Sequence, residues 1–320
     1  MSDLEPEVRA GGLLAPNRPV LVLYSGGRDS TCLLDLAVRI AGPGAVTALH
    51  VNYGLRTQAD ADEAHCAARC DQFGVALEVR RPARAEGEGN VQAWARRERY
   101  AAARALAAPR DADVAAGHTA TDQVETILYR LASSPSRRAL LGMRPREGSR
   151  PPTSRPPTLI RPLLGVTREQ TAAHCRARGL DWREDPSNDS DAYARGRVRN
   201  ELVPALERVH PGAAANVLAL AELLAAEGAV LDELVDGVLG GAHEISVAAL
   251  RAQPPALRRL VVQRLADAAA GEPAAGVARR ADEVAALPQQ GTAALHLPHG
   301  VRATARRGVI RFDRTPPPRT

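Results

Sequence analysis

The chain has 320 residues, 45% hydrophobic and 25% charged, which is ample for a globular core, excludes disorder of the whole chain and on length suggests about two domains. It contains no lysine, so all 42 basic residues are arginine, and 37 acids leave a net charge of +5. A Walker A loop and a lysine nucleophile are thereby excluded.

The N-terminus MSDLEPEVRAGG lacks an apolar core of signal-peptide length, and no apolar run approaches the ~18 residues of a membrane span, so a cytoplasmic protein is expected. Cys32, Cys66, Cys70 and Cys175 form neither a CxxC nor a zinc-ligand spacing and are expected to be reduced thiols.

Residues 1–18 read as a flexible leader. Pro19 to Tyr24 (PVLVLY) is a β-prone run suited to a strand buried on both faces, and Asp29 to Ile40 has helical spacing. Further strands fit Ala45 to Val51, Val75 to Val79 and Asp113 to Gly117. Helices fit Ala59 to Phe73, Asn90 to Ala108 and Thr121 to Ala132. This alternation predicts an α/β fold with a Rossmann-like, doubly wound parallel sheet.

Residues 144–160 are too rich in proline for a regular element and read as a mobile loop. Thr167 to Arg178 resumes a helix through a Thr167/Gln170 capping box. From about Glu201 onward the pattern becomes leucine- and alanine-rich: helices fit Pro211 to Leu239, Ser246 to Arg251, Pro255 to Ala270 and Ala275 to Leu287. A short β pair, Ala293 to Leu297 and Val309 to Phe312, closes the chain. The domains expected are therefore 19–206 and a smaller, mainly helical 207–320. Six arginines after Val301 face one acid, Asp313, a basic surface that either meets a polyanion or is simply solvated.

The stretch YSGGRDSTCLL (Tyr24 to Leu34) joins the first strand to a helix. Glycines allow close backbone approach, serines supply hydroxyls, and the helix N-terminus favours an anion, so a phosphate chain is the preferred ligand. The alternative is a tight βα turn without a ligand.

SGGRDS resembles the SGGxDS hallmark of the PP-loop family, the N-type ATP pyrophosphatases. That resemblance implies that Ser25, Gly26, Gly27, Arg28, Asp29 and Ser30 grip the pyrophosphate released from ATP, with Asp29 helping to hold Mg²⁺. Further blocks resemble the tRNA(Ile)-lysidine synthetases within that family. They are LHVNYGLR (Leu49 to Arg56), NVQAWARRERY (Asn90 to Tyr100), GHTATDQVETILYRL (Gly117 to Leu131), RPLLGVTR (Arg161 to Arg168) and WREDPSNDSDAYARGRVRNELVPAL (Trp182 to Leu206), and the terminal LPHGVRATARRGVIRF is also similar. Departures include Tyr53 for a histidine, Thr121 for an aspartate and Gly196 for an asparagine.

The resemblance implies ATP-dependent ligation of free L-lysine to C2 of the wobble cytidine of a CAU-anticodon tRNA(Ile), through an adenylated base. It implies no membrane partner and is compatible with a homodimer. His50, Asn52 and His118 would lie at the nucleotide, and Arg96 would stabilise charge on the α-phosphate unless it is a surface arginine. Asp122 and Glu125, three apart on one helix face, would recognise lysine, or Asp122 would serve a metal or the helix terminus. Arg161, Arg195, Arg197 and Arg199 would bind tRNA phosphates. Glu184 and Asp185 are expected to order their turn. The competing readings are a thiolating PP-loop enzyme, which would need working cysteines, a non-catalytic nucleotide-binding module and, more remotely, an amidating enzyme.

Overall fold

The computed structural model describes residues 3–55, 57–85, 89–134, 137–148, 157–184 and 194–315. Two compact units emerge, Met1–Glu222 and Leu223–Thr320.

In the first unit the elements run α1 (Glu5–Ala10), β1 (Val20–Leu23), α2 (Arg28–Ala41), β2 (Val46–Val51), α3 (Ala59–Phe73), β3 (Ala76–Arg80), α4 (Val91–Ala107), β4 (Asp113–Ala115), α5 (Ala120–Ser133) and α6 (Arg137–Leu140). There follow β5 (Arg146–Glu147), β6 (Leu159–Ile160), α7 (Arg168–Ala177), α8 (Ala194–Arg197), a π turn (Val198–Leu202) and α9 (Val203–Val209); α10 (Ala213–Leu239) continues into the second unit. The sheet order is β3-β2-β1-β4-β6-β5. Every pairing is parallel except β5 with β6. The strand order reverses between β1 and β4, and in open α/β sheets ligands bind at such a switch point, beyond the strand C-termini.

Alternation on β1 explains the layers. Val20 and Val22 enter a core with Leu33, Leu36, Cys66 and Cys175, whereas Leu21 and Leu23 enter one with Leu49, Ala103 and Leu106. Helices α2, α3 and α7 thus cover one face and α4 the other, as the doubly wound reading requires.

Three expectations are corrected. Part of the leader is α1, where Leu4 and Val8 are buried against the first core and Glu5 pairs with Arg39 of α2 at 2.6 Å. A one-turn amphipathic segment between charged residues gives little periodic signal. Of the proline-rich stretch, the described ends form β5 and β6, while 149–156 lie outside the described residues. The closing β pair is instead part of a four-stranded antiparallel sheet.

That sheet belongs to the second unit, with α11 (Val247–Ala252), α12 (Pro255–Ala270) and α13 (Ala281–Ala285). Its order is β7-β10-β9-β8, from β7 (Glu244–Ser246), β8 (Thr292–Leu297), β9 (Val301–Arg306) and β10 (Val309–Arg314). The predicted partners β8 and β10 are separated by β9, whose inward residues Val301, Ala303 and Ala305 are all fully buried. Small alanines between arginines hide the two-residue alternation. Helix α10 also corrects the reading of apolar runs. By length and composition it could cross a membrane, with a mean hydropathy of 1.6. One such helix does not make a membrane protein, and its last turn packs Val235, Val238 and Leu239 into the second core.

Helix α7 lies along α2 and fixes it. The Thr171 hydroxyl donates to Asp29 Oδ1 at 2.5 Å, the Cys175 thiol donates to the Arg28 carbonyl at 3.7 Å, and His174 Nε2 sits 2.8 Å from Asp35 Oδ2. His174 and Asp35 are both buried, and Arg178 adds a second cation at 3.5 Å. Burial pushes the Asp35 carboxyl up, but the His174 hydrogen bond and the charges of Arg178 and His174 together outweigh it and leave the carboxyl below its usual range. Replacing His174→Ala leaves Asp35 with only half-exposed Arg178, and is expected to destabilise the first unit by about 3 kcal/mol, read as a lowered urea midpoint.

Candidate active site

Beyond β1, Ser25 to Gly27 turn the chain into α2. Gly26 has φ +79°, and an added Cβ would lie 3.0 Å from Cys66 Sγ, so glycine is required there. Its carbonyl accepts the Arg183 N–H at 2.9 Å. Ser30 Oγ donates to the Gly27 carbonyl at 2.8 Å and lies 3.1 Å from Ser25 Oγ, bracing the turn. The helix N-cap is Gly27, which brings no side chain to occupy the first-turn N–H groups. Gly117, just past β4, approaches the same turn so closely that a Cβ would stand 3.1 Å from the Asp29 carbonyl oxygen and 3.2 Å from the Ser30 nitrogen. The two sides of the switch point are thereby joined.

Asp29, Asp122 and Glu125 converge on one side chain that the sequence reading did not assign, Arg168. Its guanidinium lies 3.7 Å from Asp29 Oδ2, 3.2 Å from Asp122 Oδ1 and 3.7 Å from Glu125 Oε1. Arg168 is the first residue of α7, and its backbone N–H donates to Thr121 Oγ1 at 3.3 Å. The hydroxyl that replaces the family's aspartate thus serves the start of α7.

Asp122 has two roles. One oxygen accepts the Thr119 N–H and hydroxyl at 2.8 and 2.9 Å in a capping box, while the other faces Arg168. Glu125 is buried and receives both Arg199 Nε at 2.6 Å and Nη2 at 2.9 Å, a bidentate fork delivered by the π turn. Arg199, expected at tRNA, is therefore committed to Glu125.

Around His118 the field is positive. Arg161 Nε donates to His118 Nδ1 at 3.3 Å, which leaves the ring proton on Nε2. Burial, opposed by Asp122 and aided by Arg161, Arg99 and Arg96, takes His118 down to about 4. Burial and then the Arg195 charge lower Arg130, with Arg161 and Arg96 adding to the effect. Arg96 is exposed, with its guanidinium 4.8 Å from the Tyr100 ring centre. Arg99 Nε and Tyr100 Oη are buried without hydrogen-bond partners among the described residues. Arg161, also expected at tRNA, is only 3% exposed; its donors go to Glu147, the Arg144 carbonyl and His118. Burial corrects its role from phosphate contact to support of the His118 edge. Arg195 and Arg197 are exposed.

The LHVNYGLR block proves more structural than expected. Asn52 is buried, its amide donating to Asp60 and Glu63 at 3.0 and 2.9 Å while its oxygen accepts the Gly54 N–H. These bonds exhaust its amide on the α3 terminus and correct its assignment to the nucleotide. His50 Nδ1 lies 3.1 Å from the Tyr24 carbonyl, and burial lowers its pKa. Tyr53 donates to the Ala95 carbonyl at 2.9 Å and packs edge-on against Trp94, tying this loop to α4. Burial pushes the Cys66 and Cys70 thiols each up to about 12, unlike a sulfur-carrying thiolate. Glu184 is exposed, and Asp185 lies outside the described residues.

Comparison with known proteins places the chain among relatives. A family model described as a PP-loop domain matches residues 5–206. A tRNA(Ile)-lysidine synthase of Salinispora arenicola is 38% identical, over 93% of this chain and 92% of the relative. The corresponding enzyme of Pseudomonas putida is 37% identical over 76% of this chain, which spans 58% of that longer relative. The U34-tRNA thiolase NcsA of Methanococcus maripaludis shares the fold, with a TM-score of 0.56 and 17% identity over 69% of this chain and 77% of that one. With its phosphate-binding turn at the switch point and a close relative matched almost end to end, the chain belongs to the PP-loop family and, within it, to the tRNA(Ile)-lysidine synthases.

Proposed function

We propose that this chain is a C–N-bond-forming ligase that joins lysine to C2 of the wobble cytidine of CAU-anticodon tRNA(Ile), using ATP and releasing AMP and pyrophosphate. The observation that carries the reading is the meeting of the phosphate-binding turn with Asp29, Asp122 and Glu125 around one guanidinium. A triphosphate and an amino acid with two ammonium groups then have their complementary groups in a single site.

In the first step the cytosine C2 oxygen attacks the α-phosphate. The turn N–H groups and the start of α2 receive the departing pyrophosphate, and Arg96 meets charge developing on phosphorus. Neutral His118 keeps Nε2–H as a donor toward the nucleotide. In the second step the lysine ε-amine attacks C2 and AMP leaves, with Asp122 as the reachable carboxylate and Glu125 behind it, held by Arg199.

Among the described residues no group of three or more His, Cys, Asp or Glu could hold a metal alone. Mg²⁺ characteristically takes one or two carboxylates plus substrate phosphates, so Asp29 beside the turn, with Asp122 as a second donor, fits it. When bound, Mg²⁺ neutralises the phosphate oxygens of the departing group.

Exposed Arg195 and Arg197 suit tRNA phosphates. In the second unit, Arg302, Arg306 and Arg311 alternate with buried residues on β9 and β10, so they share the outer face of that sheet, where Arg311 pairs with Glu244. This face is a further candidate for tRNA. The cytoplasm, where tRNA is modified, is the corresponding location.

The deciding experiment offers labelled lysine, ATP and Mg²⁺ with a CAU-anticodon tRNA(Ile) transcript, beside the same transcript carrying wobble uridine. Label in the first transcript alone is expected; label in neither, from folded protein, rejects the ligase reading. Asp29→Asn is expected to slow tRNA-dependent pyrophosphate release by roughly 100-fold or more, with unchanged circular dichroism. His118, depressed below the unfolded value, favours the folded state at neutral pH, and that contribution is lost as pH falls from about 6.5 toward its folded value. Ring NMR is expected to find one histidine, absent in His118→Gln, still neutral at pH 5 and titrating at about 4.

A further inference from the structure

Arg168 is held differently from the other arginines at the site. Arg199 grips Glu125 with two hydrogen bonds, at 2.6 and 2.9 Å. Among the described residues the Arg168 guanidinium makes one hydrogen bond, to Asp122 at 3.2 Å, and reaches Asp29 and Glu125 only at ion-pair distance, 3.7 Å each. Its Nε is buried and has no hydrogen-bond partner among the described residues. Charge more than directional bonding keeps this guanidinium in place.

The charges also balance. Asp29, Asp122 and Glu125 bring three negative charges, and Arg28, Arg168 and Arg199 contact them with three positive ones. A divalent cation entering this neutral cluster would gain little, whereas one arriving with a polyphosphate would bring its own balancing charge.

We propose that Arg168 is the resident counter-cation of this carboxylate cluster, a positioning residue that holds Asp29, Asp122 and Glu125 together and makes divalent-cation uptake conditional on the nucleotide. Without Arg168 the three carboxylates would keep an excess negative charge and would attract a metal ion directly. The inference rests on the ATP-using reading above, but its measurement requires neither tRNA nor lysine. A failure to form lysidine would therefore leave its outcome intact.

The test is Mn²⁺ binding to the full chain, followed by the paramagnetic resonance signal of free aquated Mn²⁺. Wild-type protein is expected to take up little Mn²⁺ alone, and to form a ternary complex once ATP is added, detected by water-proton relaxation. Arg168→Gln, which removes the charge but keeps a polar chain, is expected to bind Mn²⁺ without nucleotide roughly tenfold or more tightly than wild type. Arg168→Lys is expected to behave as wild type, because it restores the charge without the fork. Adding Asp29→Asn to Arg168→Gln is expected to return the affinity toward that of wild type.

Wild-type protein that binds Mn²⁺ equally well with and without ATP overturns the proposal, and this arm requires no variant to fold. So does folded Arg168→Gln that binds Mn²⁺ no better than wild type, or Arg168→Lys that binds it as Arg168→Gln does.

Discussion

The Thr171 hydroxyl and the His174 imidazole, two side chains on one face of α7, hold α2 by Asp29 and Asp35, and the active edge is organised around that clamp. Helix α2 begins at the phosphate-binding turn, so its axial position sets where the turn N–H groups and Asp29 lie. Thr171, His174, Cys175 and Arg178 follow the helical spacing that keeps one stripe of α7 against its neighbour. A carboxylate as buried as Asp35 must be paired, which makes this contact specific as well as cohesive.

From the same helix comes the link to α5. Arg168, at the first position of α7, reaches Asp122 and Glu125, and its N–H meets Thr121. Gly117 presses the loop before α5 onto the first turn of α2, where a Cβ would be crowded by the Asp29 and Ser30 backbone. Three helix N-termini consequently meet at the C-terminal edge of the sheet, and their dipoles favour the carboxylates gathered there.

In a chain without lysine, every one of these cationic tasks falls to arginine. The bidentate Arg199–Glu125 fork is rigid, whereas the spread contacts of Arg168 are not. Arg161 is buried as a support for His118, and Arg195 and Arg197 remain at the surface. One residue type thus serves four physical ends, distinguished by burial and partner rather than by identity.

Local signals were legible in the sequence. The β1 run, SGGRDS and the periodic helix announced the phosphate-binding turn, and Thr167/Gln170 announced the capping box observed on α7. The order of the motif blocks carried the family. The Thr119/Asp122 box escapes a helix placed at Thr121, one residue inside its observed start, and β9 escapes because Ala303 and Ala305 carry a weak apolar signal. The sequence by itself determined the parallel sheet, the turn and the carboxylates, since these follow from backbone preference and residue type within a few positions. Only the tertiary structure decided that Arg168 joins Asp29 to Asp122 and Glu125, that Arg199 belongs to Glu125 and that Arg161 and Asn52 face inward. Such partners lie far apart along the chain, 74 positions for Arg199 and Glu125, and are chosen by burial and charge pairing once the helices have packed.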